Sequence, residues 1–240
     1  MKRVKKLVLL PAAGLFAVTL LFTACKKLSS TDYQPSPAAG LMAFNLATDK
    51  PAVGFTLSGN VFGNAPLAYS SYTGVYLPIY VGTREVRSFD YTTGSTLALA
   101  TGNFADSNYY SAFLLGANGS YRNVVVKDEL NTLTTAPGKA WVRYVNAIAD
   151  SASSPLVTIG SGGETTVNEN APYAKVSGFV KVNAGAVNAS VNNGGTIAAS
   201  RTITLEENKV YTVLFSGLPN QTDSSKAVQV RFIQNGVINP

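Results

Sequence analysis

The chain repeats itself once, and that repeat constrains the fold more than any other feature. Leu41 to Asp49 (LMAFNLATD) aligns with Val142 to Asp150 (VRYVNAIAD), placing Asn45 and Asp49 on Asn146 and Asp150 at an offset of 101 positions. Phe104 to Gly116 (FADSNYYSAFLLG) aligns without a gap with Leu205 to Gly217 (LEENKVYTVLFSG), again at 101. Between these anchors, Ala65-Pro66 matches Ala171-Pro172 and the stretch 74–82 matches 178–185, with small insertions. Two anchors at one offset define two homologous units of roughly 100 residues, a common domain size.

Each unit reads as short strands divided by turns. Val75, Leu77, Ile79 and Val81 alternate with Tyr76, Pro78 and Tyr80. This period of two predicts a strand with aliphatic residues on one face and tyrosines on the other. Pro78 cannot donate a ladder hydrogen bond, which puts that strand at an edge. The segments 109–115 and 210–215 are apolar on both faces and read as central strands. Asn118-Gly119 and Asn193-Gly194 are turn signals. No long segment carries the 3.6-residue apolar period of a helix. The expected fold is therefore all-β: two tandem β-sandwich domains, immunoglobulin-like or transthyretin-like in architecture. The paired cysteines of true immunoglobulin domains are absent, because the chain has one cysteine. The expected boundaries are 40–131 and 139–240, joined by a linker at 132–138 that ends in Pro137-Gly138.

The first 24 residues read as a targeting segment outside the fold. Lys2, Arg3, Lys5 and Lys6 precede an apolar run from Leu7 to Phe22, which ends in Thr23-Ala24-Cys25. A basic start, an apolar stretch and small residues at the cut describe a secretory signal peptide. A cysteine just after the cut describes a lipoprotein, whose thiol becomes the thioether to a diacylglycerol. Phe22 stands where such a motif prefers leucine, with Leu21 one place back. The competing reading is an uncleaved anchor, since the run is close to the ~17-residue lower limit for a spanning helix. Cys25 being the only cysteine favours the lipid site, because no disulfide can use it. Residues 25–39 contain Ser29, Ser30, Thr31, Pro35, Ser36 and Pro37 and read as a flexible tether. Removing the signal takes four of the 19 basic residues, leaving 15 against 13 acidic ones, a net of +2. Lys26-Lys27 is the one basic cluster of the mature chain, so nucleic acid is not an expected partner.

The repeated strand followed by Asn-x-x-x-Asp, the glycine-bounded strand at 74–82 and 178–185, and the segment Asn208-Lys209-Val210-Tyr211-Thr212-Val213 resemble one family. It comprises uncharacterised β-sandwich repeat domains found in tandem in bacterial exported proteins and lipoproteins. The typical unit ends in a Gly-Lys-x-Tyr-Thr-Val strand; the first copy keeps only Asn108-Tyr109-Tyr110-Ser111-Ala112. Asn45 and Asn146 stand where the family often has histidine. The resemblance spans nearly all of 40–235. It implies the fold and an exported location, with no activity to transfer.

The chemistry available is narrow. The chain has no histidine, the commonest general base and metal ligand. A cysteine/histidine zinc site cannot be built. No catalytic residue, metal site or cofactor is expected. Two carboxylates suffice for a glycosidase, which keeps a glycan hydrolase as a remote reading. Asp106 and Glu206-Glu207 read as solvated turns. Asp49 and Asp150 read either as Asx-type turns or as calcium ligands assisted by Asn45 and Asn146. Tyr69, Tyr72, Tyr76 and Tyr80 crowd one region of the first copy, where the second carries Lys181 and Asn183. Exposed tyrosines can stack on sugars or anchor a protein; the competing reading packs them on the neighbouring domain. The sequence thus points to a non-enzymatic envelope lipoprotein at the outer membrane, held by lipid on Cys25, with a glycan or protein as possible ligand. A fimbrial or adhesin-type subunit assembled by strand exchange, with 228–233 as the exchanged strand, is the alternative.

Overall fold

A computed structural model describes residues 36–149 and 154–238. The signal segment, Cys25, nearly all of the tether and Asp150 lie outside the described residues.

Nine strands build the first repeat: β1 (Ala38–Ala47), β2 (Val53–Leu57), β3 (Asn60–Leu67), β4 (Ser71–Tyr72), β5 (Leu77–Tyr80), β6 (Gly82–Asp90), β7 (Thr96–Phe104), β8 (Tyr109–Ala117) and β9 (Ser120–Asp128). They form two sheets. One runs β4-β1-β8-β9, with β5 also paired to β1; the other runs β3-β2-β6-β7. After a short 3-10 turn at Leu130–Thr132, the second repeat follows with β10 (Lys139–Ile148), β11 (Leu156–Ser161), β12 (Glu164–Asn170), β13 (Val180–Asn183), β14 (Gly185–Asn192), β15 (Ala198–Leu205), β16 (Lys209–Gly217) and β17 (Gln229–Val237). Its sheets run β13-β10-β16-β17 and β12-β11-β14-β15. The topology of the first repeat recurs, with a lone bridge between Val145 and Val176 in place of β4.

Each sandwich closes on its own core. Leu41, Val53, Phe55, Val86, Phe104 and Leu114 are among those filling the first. Tyr144, Val157, Ile159, Val187, Ile203 and Phe215 are among those filling the second. The apolar strands at 109–115 and 210–215 are central, as their sequence implies: β8 lies between β1 and β9, and β16 between β10 and β17. Their pairing with β1 and β10 is parallel, in register Leu41 with Tyr110 and Val142 with Tyr211.

These strands are apolar on both faces because the two repeats pack together. Met42, Phe44, Leu46, Phe113 and Leu115 of the first repeat share a third cluster with Val145, Ala147, Leu214 and Ile233 of the second. The face of each central sheet that points away from its own core is thereby buried against the other repeat. Residues 37–240 form one compact unit.

The aliphatic/tyrosine alternation at 75–81 holds only in part. β5 is an edge strand with Ile79 in the core and Pro78 and Tyr80 exposed. Val75, expected on the inner face, precedes the strand and is 60% exposed.

Candidate functional site

The most elaborate side-chain arrangement lies between the repeats. Arg143, in β10, is flanked by Val142 and Tyr144 and takes the position that Met42 holds in β1, 101 residues earlier. Alternation aims it out of its own sandwich and into the junction, where it is 2% exposed. A guanidinium cannot be stripped of water there without partners. Its Nη1 donates to Asp128 of β9, its Nη2 to the Ser111 hydroxyl at 2.9 Å and its Nε to the Thr212 hydroxyl at 2.9 Å. Phe179 lies 4.6 Å from the guanidinium carbon, measured to the ring centre, and supplies a cation–π contact.

Asp128 is itself saturated. One carboxylate oxygen takes Arg143; the other accepts from the Ser111 hydroxyl and the Tyr76 hydroxyl, each at 2.6 Å. Asn235 of β17 closes the ring: its amide donates to the Tyr76 oxygen at 3.2 Å, and its carbonyl accepts from Thr212 at 2.6 Å. Three members come from each repeat. Burial first, then the negative Asp128, holds the Tyr76 hydroxyl well above the ordinary tyrosine pKa. It stays a protonated donor, unsuited to act as a base or nucleophile. With each charged or polar group bonded to another in the ring, the arrangement joins the repeats and offers no free catalytic group.

The four tyrosines singled out by sequence are therefore placed differently. Tyr72 stacks on Phe44, ring centres 5.4 Å apart, at the edge of the shared cluster. The Tyr69 hydroxyl lies beside Ser216 and Gln229 of the second repeat, and its burial raises its pKa. Tyr76 belongs to the polar ring and meets Tyr109 edge-on at 5.0 Å. Tyr80 alone points into solvent, 71% exposed. Tyr76 precedes β5 and meets the second repeat at Asn235, whereas Tyr80, the last residue of β5, lies opposite Ala38 at the start of β1.

The repeated asparagines act on backbone. The Asn45 side chain accepts from the Ala47 N–H and donates to the Lys50 and Leu67 carbonyls; Asn146 accepts from the Ile148 N–H and donates to the Ala171 carbonyl. Both are buried and pin the end of the first strand of their repeat. Asp49 reaches across to the β8–β9 turn, accepting from the Asn118 N–H at 2.9 Å and the Tyr121 hydroxyl at 2.6 Å. Asp106 accepts from the Ala38 N–H, and Glu206 pairs with Lys209. Among the described residues no three acidic, histidine or cysteine side chains gather as a metal site needs. None of their helices is long and apolar enough to cross a membrane. Of the segment 228–233, all but Val228 lies in the edge strand β17, paired with β16 and contributing Val230 and Ile233 to the buried clusters.

A chain of two fused β-sandwich repeats, each with a parallel strand pair at its centre, defines the class. Matches at residues 39–153 and 140–235 place it in a named family: the chain belongs to the family described as Domain of unknown function (DUF4397). No curated protein matches it. Among solved structures, one from Bacteroides eggerthii described as a "putative cell adhesion protein" is 12% identical, covers 86% of this chain and 98% of its own, and has a TM-score of 0.27.

Proposed function

We propose that this is an exported envelope lipoprotein, cut before Cys25 and anchored through lipid on that residue. Its repeats, 40–131 and 139–240, would form one rigid, non-enzymatic binding module. The observation that carries the reading is the lone Cys25 at the end of the apolar run Leu7 to Phe22. The architecture supports it from the other side. The buried ion pair Arg143–Asp128 and the side chains bonded to it are spent on holding the repeats together, which leaves surfaces for function. Two clefts front tyrosines. One, of about 440 Å³, lies between the repeats beside Tyr76, Tyr109, Leu133, Asn235 and Val237. The other, of about 280 Å³, lies under Tyr80. A neutral glycan or a peptide is the expected kind of ligand.

The test has two arms. The wild-type chain should begin at an acylated Cys25 by mass, with residues 1–24 removed, and Cys25→Ser should lose the acyl mass and keep residues 1–24. A wild-type chain that keeps residues 1–24 and carries no lipid would favour an uncleaved anchor. Glycan and peptide arrays probed with wild type, Tyr76→Phe and Tyr80→Ser report the binding surface; no binder on any array would leave a structural role.

A further inference from the structure

One corner of the first repeat differs in character from its counterpart in the second. Where β5 and β3 approach each other at the open side of the sandwich, Val61, Phe62, Pro78 and Tyr80 line the 280 Å³ cleft. Val61 is 73% and Tyr80 71% exposed, the two most exposed large apolar residues among those described. Arg84 stands beside them, its guanidinium carbon 5.9 Å from the Tyr80 ring centre. Its Nε and Nη2 donate to the Tyr80 and Val81 carbonyls, and no carboxylate pairs with it among the described residues.

In the second repeat, Asn183 takes the place of Tyr80, pairing with Lys139 as Tyr80 pairs with Ala38. That corner is closed by polar bonds. The Lys139 ammonium donates to the Asn183 carbonyl at 2.6 Å, and the Asn183 amide donates to Glu164 at 3.1 Å. The same fold thus yields a self-satisfied polar corner in one repeat. In the other it yields exposed valine and tyrosine beside a cation without an acid.

The apolar corner is also where the chain comes in from Cys25. Ala38, the first residue of β1, lies opposite Tyr80. Thirteen peptide steps separate Cys25 from Ala38, a reach of at most about 45 Å when fully extended. The acid nearest this entry, Asp106, is engaged by the Ala38 N–H and the Ser107 hydroxyl.

We propose that the Val61–Pro78–Tyr80 corner, with Arg84, docks on the surface of the membrane that holds Cys25, an inference that rests on the anchoring reading above. Tyrosine favours the headgroup level, where its ring is apolar and its hydroxyl wet. Valine enters the boundary of the acyl chains. Arginine adds attraction to anionic phosphates, which salt screens. Docking fixes which surfaces of the module face away from the membrane.

The test uses the full lipidated chain in phosphatidylcholine vesicles containing phosphatidylglycerol. Val61→Cys and, as a control on the second repeat, Leu156→Cys (42% exposed) are labelled in turn with an environment-sensitive fluorophore. The expected result is severalfold stronger quenching by headgroup-level spin-labelled lipid at 61 than at 156. The excess should fall with added salt and with Tyr80→Ser combined with Arg84→Gln. Equal quenching at both positions, with Cys25 acylated by mass, overturns the docking and leaves the anchoring intact. An unmodified Cys25 overturns both. If the label at 61 is shielded from iodide but not quenched by lipid, and deleting residues 28–35 exposes it, the corner holds the chain's own segment and the docking is again overturned.

Discussion

Arg143 shows what a single charged residue does in an otherwise apolar strand. The first repeat has Met42 at the equivalent place and needs nothing further; in the second, Arg143 is kept satisfied by Asp128 and Ser111 of the first repeat and by Thr212 of its own. A buried pair of this kind adds little net stability over apolar residues, but breaking one side costs about 3–5 kcal/mol. Arg143→Met should therefore destabilise by that amount in urea denaturation, by leaving Asp128 buried without its cation. Arg143→Met with Asp128→Val should recover most of the loss. Strict additivity of the two single changes would show that the ion pair is not coupled. Glu169 makes a different argument. The Tyr144 hydroxyl first, then Lys175, holds its carboxyl below the usual glutamate value of 4.5. As pH falls, the unfolded chain takes up the proton first. The stabilisation is full above about 4.5 and drains away as pH drops through the lower folded value. The urea midpoint of Glu169→Gln should depend less steeply on pH below about 4.5 than that of the wild type.

At the scale of elements, the most repeated feature is also the most structural. Asn45 and Asn146 lie near the ends of β1 and β10 and bond to the backbone there. Asn146→Ala leaves the Ile148 N–H and the Ala171 carbonyl without that bond, at roughly 1–3 kcal/mol for each buried group left unpaired. Asn45→Ala should cost a similar amount. Urea midpoints of the two variants check this, and a neutral result in either would remove the brace from that repeat. Much at this scale was legible in the sequence. The offset of 101 located both repeats, and the strands apolar on both faces located β8 and β16 as central. The parallel pairing of β1 with β8 was not legible, since alternation fixes faces and says nothing of strand direction. Nor was the partner of the tyrosine face. Period two puts Tyr76 and Tyr80 on one side of a strand whether water or a second sandwich lies there. The clue that a second sandwich lies there was Arg143, a charge among Trp141, Val142, Tyr144 and Val145. It reads as an ordinary mismatch within the repeat until its acid, in the preceding repeat, is seen beside it.

At the scale of the whole molecule, the question is whether two sandwiches behave as two domains or as one. The central sheets share an apolar cluster, and a six-residue polar ring takes half its members from each repeat. Pulling the repeats apart would bare Phe44, Phe113 and Leu214 and strand Arg143 and Asp128 in the newly exposed faces, so neither repeat keeps its stability when the other opens. The expected behaviour is a single cooperative transition, with equal calorimetric and van't Hoff enthalpies. A local probe makes the point sharper. The only tryptophan, Trp141, lies in β10 of the second repeat, its indole N–H donating to the Thr134 carbonyl. Leu114, fully buried, lies in the core of the first. Leu114→Ala opens a cavity there worth roughly 2–5 kcal/mol. In a coupled molecule the Trp141 fluorescence transition moves down with the circular dichroism transition and by the same amount. In a molecule of two independent domains the Trp141 transition stays where it was, and the circular dichroism curve splits in two. The coupled outcome also bears on the membrane corner. A module that opens only as a whole carries any orientation fixed at Tyr80 through to the far surface of the second repeat, where a hinged pair would lose it.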